Sequence, residues 1–270
     1  MPNKKKSRAR PRESTFADYA RYYDLLYRDK DYDGEAGFVH RALRRAGQGG
    51  GDLLELGCGT GRHAVKFAKL GWNVMGADLS ADMIELAQSR RATLPAKLGS
   101  RLQFRTGDVR DLRIGRSFDA VVSLFHVMSY QLTNSDIRAA VNTAAAHLAP
   151  EGLFLFDFWN GPAVLIDPPT IRVKRLEDDE CRITRLAEPA VDHALNQVTV
   201  NYEILVESKK TNITSRFCEQ HHLRYFSLIE LENVLEVAGF EMLDSGPWMR
   251  NSRPAKTNWF VWLLARKKAL

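Results

Sequence analysis

Two spacings of apolar residues divide the first 165 residues into alternating segments. Apolar side chains that recur every three or four positions predict helices. Short, nearly continuous apolar runs between turn residues predict buried strands. The helices are expected at 16–27, 35–46, 62–70, 80–91 and 134–148, the last capped by Asn134 or Ser135, and the strands at 53–56, 73–77, 102–105, 118–123 and 153–158. Strands that alternate with helices predict a mostly parallel sheet covered by helices on both faces.

The pattern changes after residue 165. Apolar and polar residues then alternate along four segments, which is typical of antiparallel strands, at 172–176, 181–185, 197–206 and 214–222. An amphipathic helix at 227–238 and strands at 240–243 and 259–265 follow. We therefore predict a basic tail at 1–14, one α/β domain formed by 15–165 and 225–270, and an antiparallel β insert at 166–224.

The composition is that of a soluble globular protein, with 44% hydrophobic and 27% charged residues. No apolar run approaches the roughly 20 residues that a membrane helix requires. The basic start of the chain is not followed by an apolar segment, so it does not resemble a secretory signal. The three cysteines have no metal-ligand spacing, and a reducing cytoplasm is the expected compartment.

The basic tail carries most of the formal net charge of +6, because residues 1–13 hold six basic side chains and one acidic one. Such a tail can attract nucleic acid or acidic surfaces. Short charged termini are commonly solvated and disordered, and this interpretation is favoured. The tail alone therefore does not indicate an enzyme that acts on RNA.

The sequence ELGCGTG at residues 55–61 joins a predicted strand to a predicted helix. Its glycines, Gly57, Gly59 and Gly61, permit a tight bend and a close approach of a ligand to the backbone. The following helix offers unpaired backbone N–H groups, and ligands of such sheets bind at the carboxyl ends of the strands. The segment therefore predicts a cofactor-binding turn.

The spacing of these glycines argues against two common nucleotide sites. The dinucleotide pattern G-x-G-x-x-G would require glycine where Arg62 stands, and the chain has no phosphate-binding G-x-x-x-x-G-K-[ST] segment. Glu55 places a carboxylate beside the turn, where it would repel a pyrophosphate. A cationic amino-acid group, or its ordered waters, suits this position better.

Two further carboxylates follow the next two strands. Asp78 ends the second strand, where it can accept hydrogen bonds from two ribose hydroxyls, and Asp108 follows the third strand, where an acceptor can meet the amino group of adenine. Together with Glu55 they place an acid at three successive strand ends. This arrangement predicts a nucleoside that carries a cationic amino-acid group.

These segments resemble the successive motifs of the class I S-adenosylmethionine-dependent methyltransferases, over residues 50–160. The resemblance implies a Rossmann-like, doubly wound seven-stranded sheet of order 3-2-1-4-5-7-6 with an antiparallel last strand, and S-adenosylmethionine as the cofactor. It also implies that Leu79 and Met83 flank the adenine, that Asp108 and Val109 contact its edge, and that Phe125 packs on the cofactor. The cofactor-binding residues implied are Glu55, Gly57, Cys58, Gly59, Gly61, Asp78, Leu79, Met83, Asp108, Val109 and Phe125.

The methyl acceptor is indicated by weaker similarities. The (Asp/Asn)-Pro-Pro-aromatic motif of DNA amino-methyltransferases is absent after the fourth strand, and the sequence DPPT at 167–170 is interpreted as a rigid connector. Segments at 22–35 and 221–227 resemble the amino-sugar and glycine-type N-methyltransferases. This resemblance implies that an N-terminal helical lid and the insert form the acceptor site. We expect a small-molecule amine as acceptor, no membrane partner, nucleic acid as a less favoured partner, and a monomer or homodimer.

Methyl transfer is an in-line displacement, to which positioning contributes most. An amine must be neutral to attack, so a side chain that accepts a proton is expected nearby. The candidates are His126 and Tyr130 after the fourth strand, Tyr23 in the lid, and one of the neighbours His221 and His222, of which we select His222. A packing role is the alternative for each, and no metal site is predicted. Methylation of a hydroxyl, methylation of RNA or protein with the tail as docking arm, and cofactor binding without catalysis are the alternative functions.

Overall fold

The computed structural model describes residues 17–269, with the side chains of residues 17–21 excluded, so the predicted basic tail lies outside the described residues. None of its helices is long and apolar enough to cross a membrane. The helices are α1 (Ala17–Leu26), α2 (Tyr32–Arg45), α3 (Arg62–Lys69), α4 (Ala81–Ala92), α5 (Ala96–Gly99), α6 (Asn134–His147), α7 (Gly161–Ile166) and α8 (Leu228–Val237), with a 3₁₀ turn at Val127–Tyr130. The strands are β1 (Asp52–Leu56), β2 (Asn73–Asp78), β3 (Leu102–Thr106), β4 (Phe118–Ser123), β5 (Leu148–Trp159), β6 (Arg172–Glu177), β7 (Cys181–Asp192), β8 (Gln197–Ser208), β9 (Thr214–Arg224), β10 (Phe240–Pro247) and β11 (Phe260–Lys267).

The main sheet has seven strands in the order β3-β2-β1-β4-β5-β11-β10. The first five run parallel, and β11 is antiparallel to both of its neighbours. The predicted fold class and strand order are confirmed. The order reverses between β1 and β4, and a sheet of this kind binds its ligands beyond the carboxyl ends of the strands at that point.

Helices cover both faces of this sheet, so side chains of both pleat directions are buried. The neighbours Leu53 and Leu54 of β1 illustrate this, since they enter two different hydrophobic clusters. The near-continuous apolar runs of the central strands follow from this double coverage.

A second, four-stranded antiparallel sheet follows β5 and has the order β6-β7-β8-β9. This confirms the predicted antiparallel insert. Leu26 of α1 packs on Ile183 and Ile204 of this sheet in one hydrophobic cluster. Helix α1 is thereby held against the second sheet.

The start of α6 differs from the prediction by one residue. Thr133, not Asn134 or Ser135, caps the helix. Its hydroxyl accepts a hydrogen bond from the backbone of Asp136, whose carboxylate accepts one from the backbone of Thr133. This reciprocal capping box satisfies two backbone donors, whereas a single serine or asparagine cap satisfies one.

Candidate active site

A cavity of about 400 Å³ opens at the point where the order of the main sheet reverses. The glycine turn after β1, the segment after β4, helix α1 and the second sheet all contribute to its wall. The predicted residues that line it are Tyr23, Gly57, Cys58, Gly59, Asp78, Met83, Phe125, His126 and Tyr130. The structure therefore brings most of the predicted cofactor and acceptor residues to one cavity.

The glycine turn requires glycine for its conformation. Gly57, Gly59 and Gly61 all have positive φ, at 76°, 52° and 74°. A Cβ at Gly57 would lie 2.4 Å from Val127 Cγ2, whereas a Cβ at Gly59 would meet no atom within 4 Å. Gly57 therefore permits close packing against the segment after β4, and Gly59 leaves open space on the side of the cavity.

Asp78 fastens the glycine turn to the end of β2. Its Oδ2 accepts a hydrogen bond of 2.8 Å from the backbone of Gly59, and its Oδ1 accepts one of 2.9 Å from the backbone of Ser80. Desolvation raises the pKa of this carboxyl group, although the backbone hydrogen bonds oppose the effect. Each carboxylate oxygen has a second lone pair, so Asp78 is able to accept hydrogen bonds from a ribose while it holds the turn.

Glu55 lies beneath the glycine turn, with 1% of its surface exposed, and is not part of the cavity wall. Its Oε1 is 3.8 Å from His63 Nδ1, and its Oε2 has no hydrogen-bond partner among the described residues. Burial, with the nearby charge of Asp78, raises the pKa of Glu55 well above its ordinary value. A buried acceptor without a donor fits a site that receives an ammonium group or its ordered water.

Of the four residues predicted to contact adenine, only one lines the cavity. Met83 is buried and lines the cavity, whereas Leu79, Asp108 and Val109 do not line it. Leu79 is 67% exposed. Asp108 pairs with Arg110, whose hydrogen bond lowers the pKa of that carboxyl. Contact of these three residues with adenine stays a prediction.

Cys58 and Gly61 complete the predicted turn. Burial raises the pKa of the Cys58 thiol well above its ordinary value, so this residue is a neutral wall group and not a nucleophile. Gly61 does not line the cavity, and a Cβ there would lie 2.8 Å from the ring of Phe104.

The segment after β4 carries two residues in a strained conformation. Phe125 and His126 have φ values of 66° and 65°, which only a supporting structure maintains for side chains of this size. Both line the cavity. The ring of Tyr27 meets Phe125 edge-on at 5.0 Å, and Phe260 stacks on His126 at 4.4 Å.

A buried carboxylate supports His126. Asp157 of β5 is 1% exposed, and both of its oxygens lie 3.2 Å from the backbone nitrogen of His126, which donates to them. Its Oδ2 lies 2.6 Å from His126 Nδ1. This is the distance of an ion pair, although the contact does not have the geometry of a hydrogen bond. Sequence reasoning missed Asp157, and the available signal was an acid inside the apolar run of β5.

Tyr130 contacts the second sheet through its hydroxyl. The hydroxyl oxygen lies 2.7 Å from His221 Nδ1, and His221 Nε2 lies 3.2 Å from Glu219 Oε2. Tyr130 and His221 both line the cavity. Desolvation raises the pKa of Tyr130 well above its ordinary value, so its hydroxyl keeps its proton at neutral pH.

The selection of His222 over His221 was wrong. His222 is exposed and hydrogen-bonds to Thr199 at 3.0 Å, whereas His221 is 4% exposed. Successive side chains of a strand point to opposite faces, and β9 directs His221 towards the cavity. The sequence alone indicated that one of the two faces inward and left the face undetermined.

Helix α1 is fastened to the glycine turn by a polar cluster, and its Tyr23 lines the cavity. Thr60 Oγ1 donates a hydrogen bond of 2.9 Å to Asp24 Oδ1. Arg90 pairs with Asp24 and donates from Nε to the carbonyl oxygen of Thr60 at 2.9 Å. Burial raises the pKa of Tyr23, and the electrostatic effect of the nearby Tyr27 raises it further. The Tyr23 side chain therefore stays a neutral hydroxyl.

A second ionic contact fastens the segment after α1. Glu35 Oε1 lies 2.5 Å from Lys30 Nζ, and Glu35 Oε2 lies 2.7 Å from His63 Nε2. Burial alone would raise the pKa of Glu35, but the hydrogen bonds and charges of His63 and Lys30 outweigh it and lower this pKa to about 2. Residues 30–35 are thus tied to α3, the helix that follows the glycine turn.

Two arginines of the second sheet also line the cavity, and sequence reasoning missed both. Arg185 donates from Nη1 to the hydroxyl of Tyr27 at 3.2 Å, and its guanidinium lies 5.0 Å from the centre of the Tyr202 ring. Arg172 is exposed at the start of β6. Strand alternation predicted these strands, but it did not predict which face would meet the cavity.

The comparisons with known proteins agree with this geometry. A family model described as "Methyltransferase domain" matches residues 53–152. The chain is 31% identical over 236 residues to dTDP-3-amino-3,4,6-trideoxy-alpha-D-glucopyranose N,N-dimethyltransferase of Streptomyces venezuelae, which covers 85% of this chain and 94% of that protein. The crystal structure of Streptomyces venezuelae DesVI has a TM-score of 0.76 and 27% identity, with 94% of this chain and 99% of that chain covered. A crystal structure of an S-adenosylmethionine-dependent methyltransferase from Clostridium acetobutylicum, at 21% identity, shares the fold with a TM-score of 0.79 over 95% of this chain and 100% of that one.

Proposed function

Because the chain belongs to the class I S-adenosylmethionine-dependent methyltransferases, close to the amino-sugar N-methyltransferases, we propose that it methylates the amino group of a nucleotide-linked amino sugar. S-adenosylmethionine is the cofactor, and its sulfonium supplies an activated methyl group when it is bound. The residues that would hold it are Asp78 at the ribose, Met83 at the adenine and the open face of Gly59. Glu55, which lies beneath the turn, would act on the ammonium group through an ordered water bound to its orphaned oxygen.

The observation that carries the proposal is one cavity lined both by predicted cofactor residues and by side chains that can accept a proton. His126, supported by buried Asp157, lies on the same wall as Phe125. A neutral imidazole accepts a proton at a nitrogen lone pair. His126 would therefore take the proton that a protonated amine must lose before it attacks. An amine needs no stronger base, and this favours nitrogen over a sugar hydroxyl as the acceptor.

The arginines of the second sheet support the proposal that the acceptor is linked to a nucleotide. Arg172 and Arg185 line the cavity on the side of the second sheet. A guanidinium group binds phosphate oxygens through paired N–H donors. The relative named above acts, by its name, on a dTDP-linked amino sugar. The diphosphate of such an acceptor would pair with these arginines and leave the sugar near His126.

The direct test uses purified full-length protein, S-adenosylmethionine and two matched acceptors, a dTDP-amino sugar and the dTDP-sugar with a hydroxyl at the same carbon. Mass spectrometry should show methyl groups on the amino sugar and none on its hydroxyl counterpart. Methylation of the hydroxyl compound alone would contradict the proposal. Arg185→Gln should raise KM for the dTDP-amino sugar about tenfold, the cost of roughly one charged hydrogen bond, and leave KM for the free amino sugar unchanged.

A further inference from the structure

Three side chains in contact with one another extend from the cavity into the second sheet. They have no role in the proton transfer proposed for His126. Tyr130, His221 and Glu219 are in contact over 2.7 Å and 3.2 Å. His221 and Glu219 are two residues apart on β9, so they point to the same face. Their side chains are 5% and 7% exposed. A histidine and a carboxylate this well buried are rarely left without a specific partner or role.

The chemistry of the three groups sets the direction of the hydrogen bonds. A carboxylate only accepts hydrogen bonds, so the Nε2 of His221 must carry a proton to bond with Glu219. The Nδ1 of a neutral His221 is then an acceptor, and the Tyr130 hydroxyl donates to it. The hydroxyl oxygen of Tyr130, a residue that lines the cavity, can accept a hydrogen bond while it donates this one. The ring of Tyr202, perpendicular to His221 at 4.9 Å, limits rotation of the imidazole.

We propose that Tyr130, His221 and Glu219 form a proton relay that accepts one N–H of the methyl acceptor, with Tyr130 as the contacting group and Glu219 as a positioning residue. The inference rests on the proposed function. As the methylated ammonium loses its proton, the N–H bond breaks and an O–H bond forms at Tyr130. The original Tyr130 proton passes to His221 Nδ1, and the resulting imidazolium is stabilised by the Glu219 carboxylate.

Two acceptors correspond to the two hydrogens of a primary amine. When its lone pair points at the methyl donor, one N–H is available to His126 and the other to Tyr130. After one methyl transfer and the loss of one proton, the secondary amine has a single N–H, and one acceptor is sufficient. The relay therefore matters most for the first of two successive transfers.

Kinetics of Glu219→Gln, Tyr130→Phe and the double variant test the relay on a dTDP-amino sugar. Each single variant should lower kcat for the first methylation about tenfold, the lower range of acid–base effects, with the acceptor KM and cofactor Kd within about twofold. The double variant should lose no more than Tyr130→Phe alone, because residues that act as one unit are not additive. Glu219→Asp should recover part of the loss. Multiplicative losses, or a normal kcat in Glu219→Gln, would overturn the relay.

Two control variants lie on the same sheet outside the cavity. Glu203 pairs with Arg216 at 2.7 Å, and His222 bonds to Thr199. Glu203→Gln and His222→Asn should keep the wild-type kcat. A loss equal to that of Glu219→Gln would indicate a general effect on the sheet and overturn the relay.

Nitrogen NMR of the imidazoles gives a readout that does not depend on the acceptor. In the full chain His221 should be the Nε2–H tautomer, and Glu219→Gln should change its nitrogen shifts. A wild-type Nδ1–H tautomer would overturn the relay even if amine methylation is observed. The expected tautomer without any amine methylation would instead contradict the proposed function and leave the hydrogen-bond direction supported.

Discussion

The two sides of the cavity are built in different ways. On the cofactor side, Gly57, Gly59 and Asp78 lie within one βαβ unit, and the backbone forms much of the surface. On the proposed acceptor side, Tyr23, His126 and His221 come from a helix, a strained turn and a second sheet that are far apart in sequence. The cofactor side is fixed by local backbone geometry, whereas the acceptor side depends on how separate elements pack.

This difference predicts which property each substitution changes. Changes on the cofactor side should reduce cofactor affinity, and changes on the acceptor side should reduce turnover while the cofactor still binds. A variant that affects both properties equally would show that the two sides are not independent.

The largest effect is expected for His126→Ala. Loss of the proton acceptor should lower kcat about 100-fold or more, with a cofactor Kd within about twofold of wild type. Steady-state kinetics and calorimetry measure the two quantities, and exposed His222→Ala is the matched control. An unchanged kcat would mean that His126 does not take the proton.

Asp78→Ala should have the next largest effect, on the other side of the cavity. It removes the acceptor of the Gly59 and Ser80 N–H groups as well as the predicted ribose contact. Because hydrogen bonds to charged groups contribute about 1.5–3 kcal/mol each, cofactor affinity should fall about 100-fold. Calorimetry with S-adenosylhomocysteine tests this against Asp82→Ala, an exposed aspartate of α4. Equal affinity in the two variants would contradict the cofactor assignment.

Cofactor affinity should also depend on pH through Asp78. Desolvation raises the pKa of this group, so it becomes protonated at a higher pH than an ordinary aspartate during acidification. The carboxylate is the form that accepts hydrogen bonds from ribose, and affinity should therefore decrease as the pH falls through this pKa. Asp78→Asn should bind more weakly at neutral pH with a flatter dependence. A wild-type affinity that increases on acidification would contradict this role.

A smaller effect is expected where α1 is fastened to the glycine turn. Asp24→Asn weakens the contacts with Thr60 and Arg90. Since partly exposed ion pairs contribute about 1 kcal/mol or less, the cofactor should dissociate about fivefold faster. Stopped-flow displacement measures this rate, and Asp29→Asn, whose pair with Arg28 is exposed, is the control. Equal dissociation rates would show that α1 does not retain the cofactor.

The smallest effect is expected on removal of residues 1–13. If the acceptor is a small molecule, kcat and KM should stay within about twofold, because the tail would matter only through long-range charge. The assay is repeated at low and high salt. A large, salt-dependent loss of activity would favour RNA or protein as the acceptor.

The glycine turn and the acid after β2 could be predicted from the sequence because their requirements are local, whereas the predicted adenine contacts Leu79, Asp108 and Val109 do not line the cavity. The sequence shows directly the glycine that permits a positive φ at position 57 and the acid that ends β2. It did not identify Asp157, Arg185 or Glu219, because the neighbours of these side chains depend on how separate strands pack in three dimensions. The mistaken choice of His222 has the same cause, since a shift of one residue along a strand reverses the face.

One measurement tests most directly the claim that this cavity joins a methyl donor to an amine. Full-length protein is incubated with S-adenosylmethionine and a panel of dTDP-amino sugars, and the products are analysed by mass spectrometry and NMR. We predict methyl groups on nitrogen, first one and then two, with S-adenosylhomocysteine formed in equal amount. Cofactor binding without transfer to any amine of the panel, or methyl groups on oxygen only, would contradict the account.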